Sequence, residues 1–474
     1  MNPGLEAARA ALAGQRAWLV GGAVRDRALG RATPDMDVIV EGDSARAARE
    51  VARVAGGAAC FSLSEDFGAW RVVARDRSWQ VDVEPLRADS LEADLALRDF
   101  TVNAIAEPIA GGQLIDPLGG LADLDARRLR IAAPDAFRED PVRVLRLVRV
   151  AVELGLGPEP ATLTAAREAA VALSGSAGER IFMELRRIVA APQAVAGLEL
   201  MSDVGATAAV LPELEALRGV EQSRYHHSDV YGHTLEVLAQ TIEPAATTSA
   251  GSVVTGWPPP EHRAQVAAVL AEPLADELTR GEALRWGALL HDVAKPLTRR
   301  VRPSDGRVTF IGHDSLGAGV AREILERLRA SERLRAHVAA LVRHHLTLGF
   351  LVHEPQPLAR RSVFAYLSQC APVEVDVTLL SVADRLATRG EGARQSIDAH
   401  LRLAGEMLGD ALRWRAEGPP VPLLRGDELA RELGIPTGPR VGELLARLAA
   451  AQYAGEVGTR PQALAFARRQ QRSQ

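Results

Sequence analysis

Only two cysteines, Cys60 and Cys370, occur among the 474 residues, and neither lies in a CxxC pattern. That excludes a disulfide framework and a cysteine-type zinc site. Aromatic residues make up just 4% of the chain, while Ala, Leu and Arg, all strong helix formers, dominate. No run of about 18 apolar residues is present, and the N-terminus lacks the short apolar core of an export signal. The expectation is a cytoplasmic protein that does not engage membranes. Excess positive charge is also missing, since the formal net charge is −5. This does not exclude a nucleic-acid partner, which needs a local basic surface rather than a basic total. What is present is a globular composition, 47% hydrophobic and 25% charged, on a chain long enough for about two to four domains.

The first third alternates short apolar runs with helical segments. Trp18-Leu19-Val20, Asp37 to Val40, Trp70 to Ala74 and Trp79 to Val83 read as strands, and Ser44 to Ala55 as a helix. Beyond Pro134 the periodicity is helical to the end. Ala246 to Pro260, rich in Thr, Ser, Gly and Pro, reads as a loop or linker. The expected class is α+β, an α/β head with a five-stranded sheet followed by helical parts. The expected boundaries are 1–132, 133–218, 219–392 and 393–474.

Gly21-Gly22 separates a strand from a helix start, and glycines allow backbone N–H groups close to phosphates. Asp35 and Asp37 follow on a strand, two apart and so on one face. Paired hard oxygen ligands suit Mg²⁺ beside substrate phosphates, and two such ions about 4 Å apart organise in-line phosphoryl transfer. Asp82, between two valines on a later strand, is the candidate third acid.

Arg98, Asp99, Thr101 and Asn103 surround Phe100 and offer groups for a ribose and a triphosphate. In Arg138 to Arg149 the expectation is one helix with Pro141 in its first turn. Asp140 and Arg143 would be i,i+3 neighbours, with Arg146 on the same side and Arg149 at its edge. A carboxylate beside a guanidinium can read a base edge.

Taken together, these segments resemble the class II tRNA nucleotidyltransferase and bacterial poly(A) polymerase family. The matching stretches are Gly21 to Asp26, Asp35-Met36-Asp37, Arg98 to Ala104, Asp116 to Gly120, Glu139 to Arg143 and Glu179 to Leu185. The resemblance implies a polymerase-β-type head in which Asp35 and Asp37 bind Mg²⁺. Gly21, Gly22 and Arg25 would hold the triphosphate. Arg98, Asp99 and Asn103 would contact ribose and phosphates, and Asp140 and Arg143 would pair with the incoming base. The implied partners are a tRNA 3′ end, CTP and ATP, with the C-terminal helices gripping the tRNA elbow. There are two departures. Leu97 stands where the family has Arg. Only Val83 to Leu97 separates the Asp82 strand from Arg98, where CCA-adding relatives carry a longer flexible loop. Loop-shortened relatives add only CC, so the expectation leans to CC addition, with a separate A-adding enzyme finishing the tRNA.

Farther on, His226-His227, His233, His291-Asp292, His313, His344-His345 and Asp384 recur in order, taking seven of the eleven histidines. Imidazole and carboxylate are ligands for a divalent transition metal. The order resembles the HD superfamily of metal-dependent phosphohydrolases. It implies His233, His291, Asp292 and Asp384 as ligands, with His313 and His344 or His345 as accessory groups and Lys295 on phosphate. Two alternatives share these residues. One is a poly(A) polymerase of the same fold, which the weakly basic tail from Arg468 to Gln474 disfavours. The other is an HD nucleotide hydrolase with a regulatory front domain, which the intact Asp35 and Asp37 disfavour.

Overall fold

The computed structural model describes residues 2–472 except 65–66, 223–227, 243–256 and 389–392. The chain packs into two compact units, Met1–Val210 and Leu211–Gln474. The expected loop from Ala246 falls mostly outside the described residues, as do His226 and His227.

The first unit is built on a mixed sheet. Its strands are β1 (Ala17–Val20), β2 (Asp35–Val40), β3 (Ala59–Ser64), β4 (Ala69–Val73), β5 (Gln80–Pro85) and β6 (Ala106–Pro108), in the order β3-β4-β5-β2-β1-β6. The sheet therefore has six strands, not five. Neither β3 nor β6 is among the four segments that read as strands, and three-residue β6 is too short for an alternating pattern to reveal it. The β2–β5 pair is parallel and its neighbours are antiparallel. Helices α1 (Pro3–Ala11) and α3 (Ser44–Val54) lie against one face. Met36, Val38, Val72, Val81 and Val83 are buried toward them, and their burial stabilises the layer by about 1.5–3 kcal/mol per large side chain. Alternation then turns Asp35 and Asp37 to the opposite face, where Leu91 and Leu95 cover Ile39 but the two acids stay exposed.

The next helical segments are α2 (Gly22–Ala28), α4 (Leu91–Ala96), α5 (Arg143–Leu154) and α6 (Gly178–Ala190). The expected helix through Asp140 is interrupted. Pro141 pushes the residue before it out of the helical region, and Asp140 is extended at φ −144°, ψ 95°. Helix α5 begins only at Arg143, so Asp140 and Arg143 do not share a helical face.

The second unit is helical. Relevant elements are α7 (Val230–Ile242), α8 (Arg280–Leu290), α9 (Lys295–Thr298), α10 (His313–Arg327), α11 (Glu332–His344) and α12 (Glu374–Ala387). Trp286, Leu289, Leu341, Val342 and Leu380 fill its core. A Cβ at Gly287 would stand 2.6 Å from Leu341 Cδ1, so α8 and α11 are in near-backbone contact there. The tail helices pack around their own core of Leu429, Leu444, Leu448 and Phe466. Among the described residues no single helix is long and apolar enough to cross a membrane.

Candidate active sites

In the first unit the open part of that sheet face floors a cleft of about 390 Å³, lined by Gly21, Gly22, Asp35, Asp37, Glu84 and Arg98 among others. Gly21 has φ +70°, and a Cβ there would meet Arg98 Nη1 at 2.7 Å and Asp37 Oδ2 at 3.4 Å. Only glycine permits this turn beside the carboxylates. Asp35 and Asp37 are exposed at the cleft floor. Protein nevertheless crowds Asp37 on its other sides. That desolvation, opposed by Arg98 and reinforced by Asp82, Glu84 and Asp35, pushes its carboxyl up to about 6. An excess of oxygen anions held close together is a setting that a hard cation neutralises.

Asp82 is directly paired with Asp37 across β2 and β5, but Arg71 grips both of its oxygens at 2.7 Å. It does not line the cleft, whereas Glu84, two residues on, does. Glu84 was missed because an acid near a strand end reads as a solvated surface group.

The remaining residues form one continuous polar chain. Arg25 donates to Asp26 (2.9 Å) and to Asn103 Oδ1 (2.6 Å). Asn103 donates to Asp99 (2.8 Å), and Arg146 reaches Asp99 at 3.2 Å. Glu184 on α6 accepts from Arg146 Nε (3.1 Å) and Arg149 Nε (2.5 Å). Arg149 and Arg187 share Glu153. Burial alone would raise Asp99, but the Arg146 charge and the bonds from Asn103, Arg146 and the Phe100 N–H hold its carboxyl below its ordinary value. Glu184 joins Arg146 to Arg149, a role its Glu179-to-Leu185 motif gives no hint of.

Asp140 and Arg143 have separate partners. Asp140 Oδ2 binds Arg180 at 2.7 Å, while Arg143 donates to the carbonyls of Ala136 (3.2 Å) and Leu97 (3.1 Å). Arg143 lines the cleft. The Asp116-to-Gly120 motif has a supporting place. Asp116 accepts the N–H groups of Gly120 (2.7 Å) and Leu121 (2.9 Å). A Cβ on Gly120 would lie 2.2 Å from the Thr101 carbonyl oxygen, so that glycine seats the turn carrying Asp99 to Asn103.

The segment between β5 and α4 is only Leu86 to Ser90. It is also pinned. Leu86 N–H bonds Val40 O (3.0 Å), Arg87 N–H bonds Asp94 (2.8 Å), the Arg87 guanidinium pairs with Glu84, and Ser90 caps α4.

In the second unit the predicted ligands come together from separate helices. His233 Nε2 lies 3.0 Å from Asp384 Oδ1 and 3.7 Å from Asp292 Oδ2. His291 Nε2 lies 3.1 Å from Asp292 Oδ2. His313 Nε2 is 3.2 Å from Asp292 Oδ1 and 3.3 Å from His345 Nε2. Two groups with metal-ligand spacing result, His233-His291-Asp292 and Asp292-His313-His345. His345 fills the place assigned to His344. His344 is half-buried, points elsewhere and lies near Arg343 and Asp314. Along a helix adjacent residues point about 100° apart, so only one of the two can face the centre.

The tautomers are set locally. His291, His313 and His345 each place Nδ1 on the carbonyl three residues earlier, Ala288 (2.8 Å), Phe310 (2.7 Å) and Val342 (2.7 Å). A carbonyl only accepts, so Nδ1 carries the proton, and in the neutral ring Nε2 presents a lone pair to the centre. His291 Nε2 has no well-directed hydrogen bond despite complete burial. Burial pushes His345 down to about 4, which keeps it neutral and able to coordinate. An imidazole-rich, buried donor set of this kind fits a transition metal. Lys295 is bound to Asp292 (2.6 Å) and to Gln222 (2.7 Å). Asp384, 23% exposed at its side chain, is the open side of the centre.

Known protein families match stretches of both units. Residues 17–130 match the Poly A polymerase head domain, 155–217 the probable RNA and SrmB-binding site of polymerase A, and 261–389 the HD domain. His233 precedes the matched HD span and is joined to it by the fold. The chain is similar to an A-adding tRNA nucleotidyltransferase of Deinococcus radiodurans, 38% identical over 96% of this chain and 95% of that one. It is also similar to a CC-adding tRNA nucleotidyltransferase of Thermus thermophilus, 36% identical over 95% and 92%. The fold resembles the Bacillus stearothermophilus CCA-adding enzyme in complex with CTP, at TM-score 0.64 and 22% identity, covering 100% of this chain and 99% of that one. With an open carboxylate cleft in one unit, a histidine–aspartate centre in the other, and full-length relatives above 30% identity, the chain belongs to the tRNA nucleotidyltransferase family with a poly(A)-polymerase-type head and an HD domain.

Proposed function

We propose that this enzyme adds two cytidines to tRNA 3′ ends and leaves the terminal adenosine to a separate enzyme. The short, pinned connector from Leu86 to Ser90 carries this reading. Its ends are tied to Val40 and Asp94, so it contains no movable loop that could reshape the cleft from CTP to ATP. Relatives named for A addition and for CC addition match almost equally well, so similarity does not decide the point.

Asp35 and Asp37 would hold Mg²⁺, which neutralises phosphate charge and favours ionisation of the attacking hydroxyl. The RNA 3′ oxygen attacks the α-phosphorus of CTP, the bond to the β-phosphate oxygen breaks, and pyrophosphate leaves. The Gly21-Gly22 backbone approaches the triphosphate. Asn103, aligned by Arg25 and Asp99, contacts the ribose, and Arg98 the phosphates. Asp140 and Arg143 supply an acceptor and a donor for the base, with Arg146 and Arg149 held alongside. Asp82 acts through Arg71 and stays out of the metal set. The finer division at residues 132, 218 and 392 separates head, base-reading neck, HD body and tRNA-gripping tail.

In the second unit His233, His291, Asp292 and Asp384 would hold a divalent metal, with His313 and His345 completing a second position on Asp292. Such a metal supplies an activated water for hydrolysis of a phosphate ester.

The test is single-nucleotide sizing of products from a tRNA lacking CCA, incubated with Mg²⁺ and CTP, ATP or both. Growth by two residues with CTP and no third with ATP is expected. A third residue overturns CC-only addition. Growth with ATP on a tRNA already ending in CC, together with no growth from CTP on a tRNA lacking CCA, makes the enzyme A-adding.

A further inference from the structure

Between the HD ligands Asp292 and His313 the chain leaves the helical body in a small hairpin. Strands β7 (Arg300–Val301) and β8 (Val308–Thr309) pair antiparallel, with Arg300 opposite Thr309 and Val301 opposite Val308. The turn is closed by Arg302 N–H to Arg307 O (2.8 Å) and Gly306 N–H to Arg302 O (2.9 Å). Both stems are rooted in the metal-type centre. The outgoing stem follows α9, whose first residue, Lys295, binds Asp292. The returning stem ends at Phe310, whose carbonyl accepts His313 Nδ1–H and whose ring lies 5.4 Å below the Lys295 ammonium.

The hairpin has a distinct charge. From Lys295 to Ile311 there are five cations (Lys295, Arg299, Arg300, Arg302 and Arg307) against one acid, Asp305. The whole chain instead has more acids than bases, 61 against 56. Arg302 is paired with Asp305 at 3.2 Å, and Arg300 donates to the Arg299 carbonyl (2.9 Å). Among the described residues Arg299 and Arg307 have no carboxylate partner. Apolar side chains stand bare beside them: Ile311 is 87% exposed, Leu297 59% and Val301 51%. Structural surface arginines are usually interleaved with acids, and bare Ile and Leu on a soluble surface mark a contact site when clustered. Cations for phosphates beside apolar contacts for bases and riboses are what a nucleic-acid strand requires.

We infer that this arginine hairpin is an RNA-holding arm that lays a single-stranded RNA 3′ end, terminated by a phosphate ester, toward the open Asp384 side of the HD centre. The inference rests on the phosphohydrolase reading of that centre. Because the contacts are to phosphates and to base faces, the arm reads no sequence. In the reaction it serves, water oxygen forms the new P–O bond. The bond from phosphorus to a ribose oxygen breaks, and that oxygen leaves as a hydroxyl with the proton given up by the water. The arm takes no part in that exchange. It raises the occupancy of RNA ends and does nothing for small esters that cannot reach it.

Two measurements on the full chain test this. The first compares hydrolysis of bis(p-nitrophenyl) phosphate with that of a short single-stranded RNA bearing a 2′,3′-cyclic phosphate, in the wild type and in an Arg300→Ala/Arg307→Ala double variant. Loss of two phosphate contacts is expected to lower kcat/KM on RNA about 10- to 100-fold at low salt, through KM, and to flatten its salt dependence by about 1.4 units of slope. The small ester should be unaffected. Equal losses on both substrates, or on neither, overturn the proposal. The second introduces a photoreactive phenylalanine derivative at the exposed tip residue Ser304. Cross-linking to the same RNA carrying a 3′-phosphate should occur and be competed by unlabelled RNA. Absence of a competed cross-link overturns the arm. If the protein hydrolyses neither substrate yet cross-links, the phosphohydrolase reading fails and the arm stands as an RNA contact.

Discussion

The two sites solve the problem of holding charge in opposite ways. In the first unit the acids Asp35 and Asp37 lie open on a sheet face beside Arg98, while a separate chain of polar contacts runs from Arg25 to Arg187 along the same cleft. In the second, His233, His291 and Asp292 are at most 2% exposed, and three imidazoles are fixed by carbonyls one turn earlier on their own chain. An open carboxylate floor suits ions that arrive and leave with each nucleotide. A buried imidazole set suits an ion that stays, because its ligands are aligned before the ion arrives. Rapid turnover and permanent residence thus call for opposite degrees of burial within one chain.

The sharpest way to break this contrast is Asp37→Asn. It should cut nucleotide addition about a thousandfold or more, the loss of several kcal/mol of transition-state stabilisation, while metal bound in the second unit stays unchanged by elemental analysis. If metal content fell as well, the two sites would not be separate. Next in size is His345→Ala set against His344→Ala. The first should lower metal affinity, measured by retention through dialysis, by at least the ~10- to 100-fold seen when only a ligand's supporting partner is lost, and the second should leave it intact. Equal effects would put His344 back among the ligands. The smallest effect is expected from Glu184→Gln, which leaves the guanidinium groups of Arg146 and Arg149 without their shared carboxylate. Arg146 is 33% exposed, so water offsets part of the loss. We expect about 2 kcal/mol in denaturant unfolding of the first unit, below the ~3–5 kcal/mol of a fully buried pair. An unchanged midpoint would show that the chain of charges orients the cleft without stabilising it.

Much of this was legible because it depends on short-range rules. Strand alternation put Asp35 and Asp37 on one face, and four of the ordered histidines, His233, His291, His313 and His345, met around Asp292. What was not legible depended on three-dimensional partners. Arg71 is eleven residues from Asp82, and nothing in Val81-Asp82-Val83 shows that it claims both oxygens. The choice between His344 and His345 turns on the rotation of α11, which is set by packing of Leu341 and Val342 in the core. Glu184 lies thirty-eight residues from Arg146, and its role needs α5 and α6 side by side. The interruption at Pro141 was foreseeable from the restriction a proline places on its predecessor. A helical face for Asp140 was the wrong expectation.

That interruption sets up a caliper. One jaw, Arg143, rides on α5, while the other, Asp140, takes its direction from the pre-proline backbone and its brace from Arg180 on α6. Were both on one helix, the gap between acceptor and donor would be a fixed multiple of the helical rise. Set as they are, the gap widens or narrows as α5 slides against α6. Substitutions in the packing between those helices, touching neither jaw, would then change that gap.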